Sequence, residues 1–203
     1  MVKAKSRGRR FLGAEQQKPD SRSRILAAAR DLFATRGFHQ TAMSELAAAA
    51  QISVGQIYRS FKNKNDIIVA IVGEDIDELL VDLEDVLRRV QSGAITILEA
   101  FEQLVRDNLS EIECGLSFEI LAEASRNPPV STTITASLKP CRVTLRSLAC
   151  EANPALGDRD LDAAEELLLA CLFGLGHRPL SGSERDNDGT APDIARMLSL
   201  IHI

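Results

Sequence analysis

The chain lacks most of the side chains and motifs on which enzymes and metalloproteins depend. Its 203 residues include no tryptophan, one tyrosine and three histidines, which lie far apart and without the spacing of metal ligands. The sequence contains no Gly-x-Ser-x-Gly, no phosphate-binding glycine loop and no His-Glu-x-x-His. Glu119 and Glu123 fall on one helix face, but two carboxylates alone are weak grounds for acid–base chemistry. We therefore expect no catalytic activity, no metal and no cofactor.

Long apolar runs are also missing. No segment approaches the roughly 18 consecutive apolar residues of a membrane-spanning helix, and the basic N-terminus lacks the apolar run of a signal peptide. We expect a cytoplasmic protein with no membrane partner. The four cysteines are scattered and include no Cys-x-x-Cys pair. This pattern favours small buried side chains over a redox pair, although the sequence leaves a redox role open.

The charges are divided unevenly along the chain. The formal net charge is −5, but residues 1–64 carry 13 Lys and Arg against 4 Asp and Glu. Residues 65–203 carry 11 Lys and Arg against 25 Asp and Glu. A basic first part on an acidic remainder indicates a polyanionic partner for the first part alone.

Apolar residues recur at helical spacing through nearly the whole chain, and no segment has the alternation of a strand. Residues 1–20 are polar, basic and aperiodic, which predicts a disordered basic arm. Gly37 is a natural C-cap for the first helix, and Thr41, Ser53 and Asn63 are natural N-caps for the next three. Further helices are predicted at about 94–112, 116–127, 129–151, 158–177 and 192–203, which gives an all-α fold of about nine helices.

The third helix is short and polar, yet it contains the only tyrosine and precedes the basic run Lys62-Asn63-Lys64. Two short helices joined by a tight turn describe a helix-turn-helix, whose second helix enters the major groove of DNA. Gly55 would let the backbone approach DNA closely. Tyr58 can lay its ring on the sugar–phosphate wall and donate its hydroxyl to a phosphate oxygen. Phe61 is expected to anchor the helix in the core.

The segment SRILAAARDLFATRGFHQTAMSELAAAAQISVGQIYRSFKNKNDII resembles the DNA-binding region of the tetracycline-repressor (TetR) family of bacterial regulators. The resemblance is specific over residues 22–68, where the Ile-Leu and Leu-Phe pairs of the first helix and the Gly-Phe pair at its end fall in register. The positions that match in the next helices are Thr41, Leu46, Ala47, Ser53, Gly55, Tyr58, Phe61 and Lys64. Beyond residue 70 the resemblance covers only the layout of helices.

This resemblance implies a three-helix DNA-binding domain at residues 21–66, joined by a long helix to a helical ligand-binding and dimerisation domain at residues 67–203. It also implies a homodimer that binds a palindromic operator in double-stranded DNA, on the bacterial nucleoid. Members usually repress transcription and release DNA when a small-molecule inducer, here unknown, binds the C-terminal domain. The phosphate contacts carried over to this sequence are Thr41, Ser53, Tyr58 and Lys64, with Val54, Gly55 and Gln56 at the groove.

Two positions depart from the family pattern. Gln51 stands in the turn where the family usually has a left-handed glycine, and we expect it to cost about 1 kcal/mol of local strain. Gln56 stands where a small residue is common. Its amide can pair bidentately with adenine, or it can simply be solvated, and the sequence does not decide between the two.

A dimer seam is predicted near the C-terminus. Residues 163–176 are apolar nearly all round apart from two glutamates, so this helix should be covered both by its own domain and by something else. The last helix adds more apolar surface than a chain end would leave in water. Paired about a two-fold axis, the two helices of each chain would form a four-helix seam. The expected interface residues are Leu168, Cys171, Leu172, Leu175, Met197, Leu198 and Ile201.

The helices within 94–151 have more apolar positions than two neighbours need, with polar residues among them. This composition suits a small-molecule pocket, or a filled core with a polar rim. Few aromatic residues favour an aliphatic or singly aromatic ligand. The expected lining residues are Leu104, Asn108, Phe118, Leu121 and Cys141. Two alternatives stay open: an architectural DNA-binding protein that responds to no ligand, and an activator.

Overall fold

The computed structural model describes residues 20–110, 114–178 and 186–200, which form ten α-helices and no strand. The all-α prediction is therefore confirmed, with one helix more than expected. None of the described helices is both long and apolar enough to cross a membrane. The helices are α1 (Ser21–Arg36), α2 (Met43–Ala49), α3 (Val54–Ser60), α4 (Lys64–Gln91), α5 (Ile97–Ser110), α6 (Cys114–Arg126), α7 (Pro128–Ser137), α8 (Lys139–Ala152), α9 (Asp158–Gly176) and α10 (Asn187–Leu200).

Local hydrogen bonds fix the ends of α1 and the start of α4. The carboxylate of Asp20 accepts the backbone N–H of Ser23 at 2.7 Å, and the side-chain oxygen of Asn63 accepts that of Asp66 at 3.1 Å. Gly37 ends α1 with a φ of 87°, a conformation that glycine adopts without steric cost. The predicted caps at Asn63 and Gly37 are thus confirmed.

The predicted start of α2 is wrong by one residue. The N-cap is Ala42 rather than Thr41, and the helix begins at Met43. The hydroxyl of Thr41 instead donates to the carbonyl oxygen of Gly37 at 2.9 Å. Glu45 replaces the missing cap, because its carboxylate accepts the backbone N–H of Ala42 at 2.8 Å.

The single helix predicted at 129–151 is also wrong, because the structure has two helices there, α7 and α8, which meet at Leu138. Pro140 explains the break: it has no backbone N–H, and its ring would clash with the carbonyl four residues earlier in a continuous helix. At the other end of the chain, α10 begins at Asn187 rather than near residue 192.

Helices α1–α3 and the beginning of α4 surround the first of two apolar cores, and we call this part the head. Phe61 is 4% exposed there, as expected for an anchor. Leu116 of α6 and Val130 of α7 are buried in the same core, so two helices from later in the chain rest on the head. The other buried members are Ile25, Leu26, Ala29, Phe33, Phe38, Leu46, Ala47, Ala50, Ile57, Ile67, Ile68 and Ile71.

The rest of the chain, which we call the body, has its own core between the remainder of α4 and helices α5, α8, α9 and α10. Helix α10 packs mainly against α5, and α9 packs against both α5 and α8. Ile120 of α6 and Ile134 of α7 contact both cores. The two cores therefore do not divide the chain at residue 66, and α6 and α7 bridge the head and the body.

Candidate nucleic-acid interface

Helix α3 turns one side to the core and the other to solvent. Ile57 is fully buried, whereas Val54 is 48% and Tyr58 52% exposed. Gly55 is exposed between them, and a Cβ added there would have the Ser53 hydroxyl, 4.0 Å away, as its nearest neighbour. The packing of the chain itself therefore does not require glycine at this position. An open, uncharged face of this kind is suited to entering a DNA groove.

A reciprocal capping box closes the start of α3. The Ser53 hydroxyl accepts the backbone N–H of Gln56 at 3.2 Å, and the side-chain oxygen of Gln56 accepts the backbone N–H of Ser53 at 2.8 Å. The predicted cap at Ser53 is confirmed. Because the Gln56 oxygen already has a partner, pairing with adenine would require it to share or leave this bond. Base reading by Gln56 stays a prediction.

The turn between α2 and α3 has the predicted left-handed residue. Gln51 has a φ of 54° and is the one non-glycine residue with positive φ in the described part of the chain. Arg24 of α1 donates from Nη1 to the Gln51 carbonyl oxygen at 3.3 Å. This contact was not predicted, because it joins residues 27 positions apart and no local sequence pattern indicates it. Arg24 thus supports the strained turn from the neighbouring helix.

Lys64 holds the loop between α1 and α2. Its Nζ donates to the carbonyl oxygens of Phe38 at 2.7 Å and His39 at 3.2 Å, and lies 4.7 Å from the centre of the Phe38 ring. Burial lowers the pKa of Lys64, while the carboxylate of Glu123 nearby acts in the opposite direction. An ammonium has three N–H donors. One of them is therefore left for a DNA phosphate while the loop is held.

Thr41 does not lie where a phosphate contact would need it. The residue is 1% exposed, and its hydroxyl already donates within the head, to Gly37. We therefore remove Thr41 from the predicted contacts. Ser53 and Tyr58 are exposed, in agreement with their expected place on the surface.

Three cations that were not among the predicted DNA contacts lie beside this surface. Arg22 at the start of α1, Arg59 on α3 and Lys62 before α4 are all exposed. The Arg22 guanidinium lies 5.1 Å from the centre of the Phe61 ring, which fixes it close to the end of α3. The sequence indicated these contacts only through the excess of Lys and Arg in the first 64 residues, which does not show which cations lie at the DNA-binding surface.

Of the five predicted pocket residues, only Leu104 and Cys141 lie together, in the core of the body. Leu104 and Cys141 are buried in the core of the body, at 4% and 0% exposure, whereas Phe118 and Leu121 are 44% and 39% exposed on α6. The side-chain amide of Asn108 donates to the carbonyl of its own helix at Leu104. The reason is the orientation of α6, whose inner face packs on α1 and α7 instead of completing the body core. The predicted grouping is wrong.

Two open grooves lie elsewhere. One, of about 420 Å³, lies between α1 and the end of α2, and the other, of about 380 Å³, lies between the start of α4 and α7. Neither is lined by a predicted pocket residue. Within residues 20–110, 114–178 and 186–200, no group of three His, Cys, Asp or Glu side chains is placed to hold a metal ion.

The predicted dimer residues are divided between two sides of their helices. Three of them are buried in the core of their own chain, which contradicts a place at an interface: Leu168, Leu172 and Leu198. Cys171 and Leu175 are half-buried, Met197 is 52% exposed, and Ile201 lies outside the described residues. The outer side of α9 has a separate exposed row consisting of Ala163, Leu167, Ala170, Phe173 and Gly174, which we call the α9 stripe.

The comparisons with known proteins agree with this arrangement. Residues 25–71 match the model of the bacterial regulatory proteins of the tetR family, and this range includes α1–α3 and the start of α4. The HTH-type transcriptional regulator UidR of Escherichia coli (strain K12) is 30% identical over 114 residues, which are 56% of this chain and 57% of UidR. The match thus spans little more than half the length of that curated relative.

Solved structures match over most of the chain. Salmonella enterica GusR has 26% sequence identity and a TM-score of 0.70, and the match covers 91% of this chain and 98% of GusR. FadR from Bacillus subtilis, solved in complex with stearoyl-CoA, has 19% identity and a TM-score of 0.67, with 87% and 97% covered. At that identity the likeness to FadR shows the fold alone.

The fold and the open face of α3 define a helix-turn-helix protein with a helical body. Over residues 25–71 the chain is similar to the tetR family of bacterial regulatory proteins, and its whole fold is similar to that of GusR. Of the named relatives, UidR and FadR are transcriptional regulators.

Proposed function

We propose that this protein is a DNA-binding transcriptional regulator that acts in the bacterial cytoplasm on a pseudo-palindromic operator. The observation that carries the proposal is the outward face of α3, where Val54, Gly55 and Tyr58 are exposed next to Ser53, the N-cap of the helix. In a dimer, one α3 from each chain would enter a major groove, the two grooves about one helical turn, roughly 34–36 Å, apart.

Phosphate binding on both sides of α3 would orient the helix in the groove. Ser53 and Tyr58 offer exposed hydroxyls, and Lys64 offers its remaining donor. Arg59 and Lys62 add exposed cations on the same part of the head. Contacts of this kind fix position and strengthen binding to any sequence, whereas base preference has to come from the groove residues, Gln56 among them.

A second copy of the chain is the proposed cover for the α9 stripe. Its two large side chains, Leu167 and Phe173, are 41% and 52% exposed. Monomeric proteins rarely leave an apolar row of this length exposed to water. Met197 of α10 is exposed as well and would extend the contact. A two-fold axis along these helices would give the four-helix seam expected from the sequence.

We further propose that the regulator represses, and that a small apolar ligand bound in the body releases it from the operator. The ligand must favour a conformation in which the two heads no longer match the operator spacing, because equal affinity for both states would shift nothing. By linkage, operator DNA must weaken ligand binding by the same factor by which the ligand weakens DNA binding.

The DNA part of the proposal is tested by selecting bound fragments from random DNA and measuring affinity against salt. Tyr58→Ala should weaken binding to all sequences, and Gln56→Ala should relax preference at one base step. Val81→Ala, at an exposed site on α4, is the matched control and should change neither. A wild-type protein that enriches no palindromic sequence would refute the proposal.

The tests of the proposed ligand response distinguish a ligand-responsive repressor from an architectural protein and from an activator. A thermal-shift screen should find small molecules that raise the melting temperature, and these should lower operator affinity at saturation. A reporter gene placed after the selected operator should be silenced by the protein and restored by the same compounds. Reporter output that rises with the protein would instead favour the activator.

A further inference from the structure

The first residue of α3, Val54, has a side chain that the fold of the chain does not use. The side chain is 48% exposed and belongs to neither apolar core. Valine also forms helices less readily than alanine, so local structure does not favour it at this position. Val54 lies on the face proposed to enter a major groove, which raises the question of what its two methyl groups contact there.

The neighbours of Val54 leave these methyl groups accessible to a partner. Gly55 has no side chain, and the nearest atom to a Cβ added there would be the Ser53 hydroxyl oxygen, 4.0 Å away. Tyr58 follows four positions later and therefore shares a side of the helix with Val54. These two are the exposed large hydrophobic side chains of α3, and they form one row along it.

The polar side chains beside Val54 are bonded to the start of their own helix. The Ser53 hydroxyl accepts the backbone N–H of Gln56, and the side-chain oxygen of Gln56 accepts the backbone N–H of Ser53. Gln56 is also half-buried. A hydrogen bond from this oxygen or this hydroxyl to a base has to compete with the capping box, whereas an apolar contact by Val54 requires no bond to be broken.

The charges around this row fit a polyanionic partner. Arg59 on α3 and Lys62 before α4 are exposed, and the Arg22 guanidinium lies 5.1 Å from the centre of the Phe61 ring at the end of α3. An uncharged row bordered by cations is complementary to the major groove of DNA, whose edges are lined by phosphates. The apolar group that the bases present in this groove is the methyl group at C5 of thymine.

An isopropyl group discriminates between base edges because it forms no hydrogen bond. The edges of guanine, adenine and cytosine present donors and acceptors, which would lose water against valine without gaining a partner. Thymine presents its 5-methyl group, so contact with Val54 removes apolar surface of both groups from water. Burial of one methyl group strengthens binding roughly fourfold.

We propose that Val54 recognises the 5-methyl group of a pyrimidine at one position in each operator half-site, so that this base is read by an apolar contact and not by a hydrogen bond. The chemistry recognised is a 5-methylpyrimidine, which is thymine in unmodified DNA and 5-methylcytosine in methylated DNA. Methylation of a cytosine at this position therefore strengthens binding. This inference rests on the proposed DNA-binding function and deepens it.

The first test uses the operator selected by the wild-type protein and copies in which one symmetric pair of thymines at a time is replaced by deoxyuridine. This replacement removes the 5-methyl group and keeps the hydrogen-bonding atoms of the base. At one pair of positions the wild-type affinity should fall roughly fifteenfold, the product of two half-sites. Val54→Ala should bind the thymine operator more weakly and respond to deoxyuridine at that pair by less than about twofold.

Two further variants identify the side chain that is responsible. Val81→Ala makes the same substitution at an exposed site on α4 and should keep the full response to deoxyuridine. Tyr58→Ala should weaken binding to every probe but also keep the full response, because its ring is expected at the sugar–phosphate wall. Melting curves without DNA check that Val54→Ala leaves the head folded.

A second set of probes distinguishes the two sources of the methyl group. The same pair of positions is changed to cytosine, opposite guanine, and then to 5-methylcytosine. The wild-type protein should bind the methylated probe roughly fifteenfold more tightly than the unmethylated probe. Val54→Ala should bind the two probes with affinities that agree within about twofold.

Four results would overturn the inference. They are a selected operator without an invariant thymine in its half-sites, a deoxyuridine response that Val54→Ala retains in full, a response that Tyr58→Ala removes instead, and equal wild-type binding to cytosine and 5-methylcytosine. Failure of the wild-type protein to bind any probe would instead count against the proposed function.

Discussion

The helices of the head and the helices of the body are defined by different kinds of contact. In the head, α2 and α3 have seven residues each, and side-chain hydrogen bonds a few residues apart define the ends of the segments around them. The body relies on longer helices, of which α9 is apolar on two opposite sides. Local polar bonds define where the short helices of the head begin, whereas the faces of a two-sided apolar helix are decided only by what packs against them.

The largest expected effect comes from removing one ring from each core. Phe33 in the head and Phe101 in the body are both at most 1% exposed, so each change to alanine should cost about 3–5 kcal/mol of unfolding free energy. Urea unfolding followed by circular dichroism measures this. Phe33→Ala should lose DNA binding first, and Phe101→Ala should lose dimerisation first.

Phe118→Ala, at a position 44% exposed, is the control and should cost less than about 1 kcal/mol. Ile120 and Ile134 contact both cores, so the two parts need not unfold separately. If Phe33→Ala and Phe101→Ala lost DNA binding and dimerisation in parallel at every urea concentration, the head and the body would be one cooperative unit. The head and the body would then differ in the contacts that define their helices, but not in their stability.

Adjacent residues on α9 test the two-sided helix. Leu168 is 2% exposed and Leu167 is 41% exposed. Leu168→Ala should lower the unfolding free energy by about 2–5 kcal/mol, because it leaves a cavity in the body core. Leu167→Glu should leave the fold of the single chain intact and prevent dimerisation, which sedimentation at micromolar concentration would detect. A Leu167→Glu dimer that bound operator normally would show that the α9 stripe is not the seam.

The predictions made from the sequence were correct where local bonds define the structure and failed where distant packing does. Gly37, Ser53 and Asn63 were placed correctly, because each acts on partners within four residues or through its own backbone conformation. Thr41 was misplaced because threonine is a much stronger N-cap than alanine, although Glu45, three residues after Ala42, was a local sign that the helix begins after Ala42. The error is a single residue, yet it moves the Thr41 hydroxyl from the surface to the interior.

Contacts between residues far apart in the sequence were not predicted. Arg24 supports Gln51 across 27 positions, and Glu119 meets Phe38 across 81. In the body, Leu168 was assigned to the seam because both sides of α9 are apolar, and periodicity cannot say which side its own chain covers. The pocket prediction failed for a related reason, because the inner face of α6 packs against the head.

A smaller effect is expected from two neighbouring cations of the head. Lys62→Ala and Lys64→Ala should each reduce the salt dependence of DNA binding by about one unit of slope. Lys64→Ala should also destabilise the head by about 1–2 kcal/mol, because two loop carbonyls lose a charged donor. Melting without DNA distinguishes the variants, since exposed Lys62 has no such role. Equal melting temperatures would mean that Lys64 does not hold the loop in solution.

The smallest expected effect concerns the strained turn. Gln51→Gly should raise the unfolding free energy by no more than about 1 kcal/mol, because glycine adopts a φ of 54° without the steric cost that glutamine bears. The Arg24 bond survives, as it uses the backbone carbonyl of residue 51. Ala48→Gly, at an exposed position within α2, is the matched control and should lower stability by about 1 kcal/mol. Opposite signs for two changes to glycine three residues apart would show that the backbone conformation of the turn, and not the loss of a side chain, controls the stability of this part of the head. A loss of stability in both would mean that Gln51 contributes a contact that outweighs its strain.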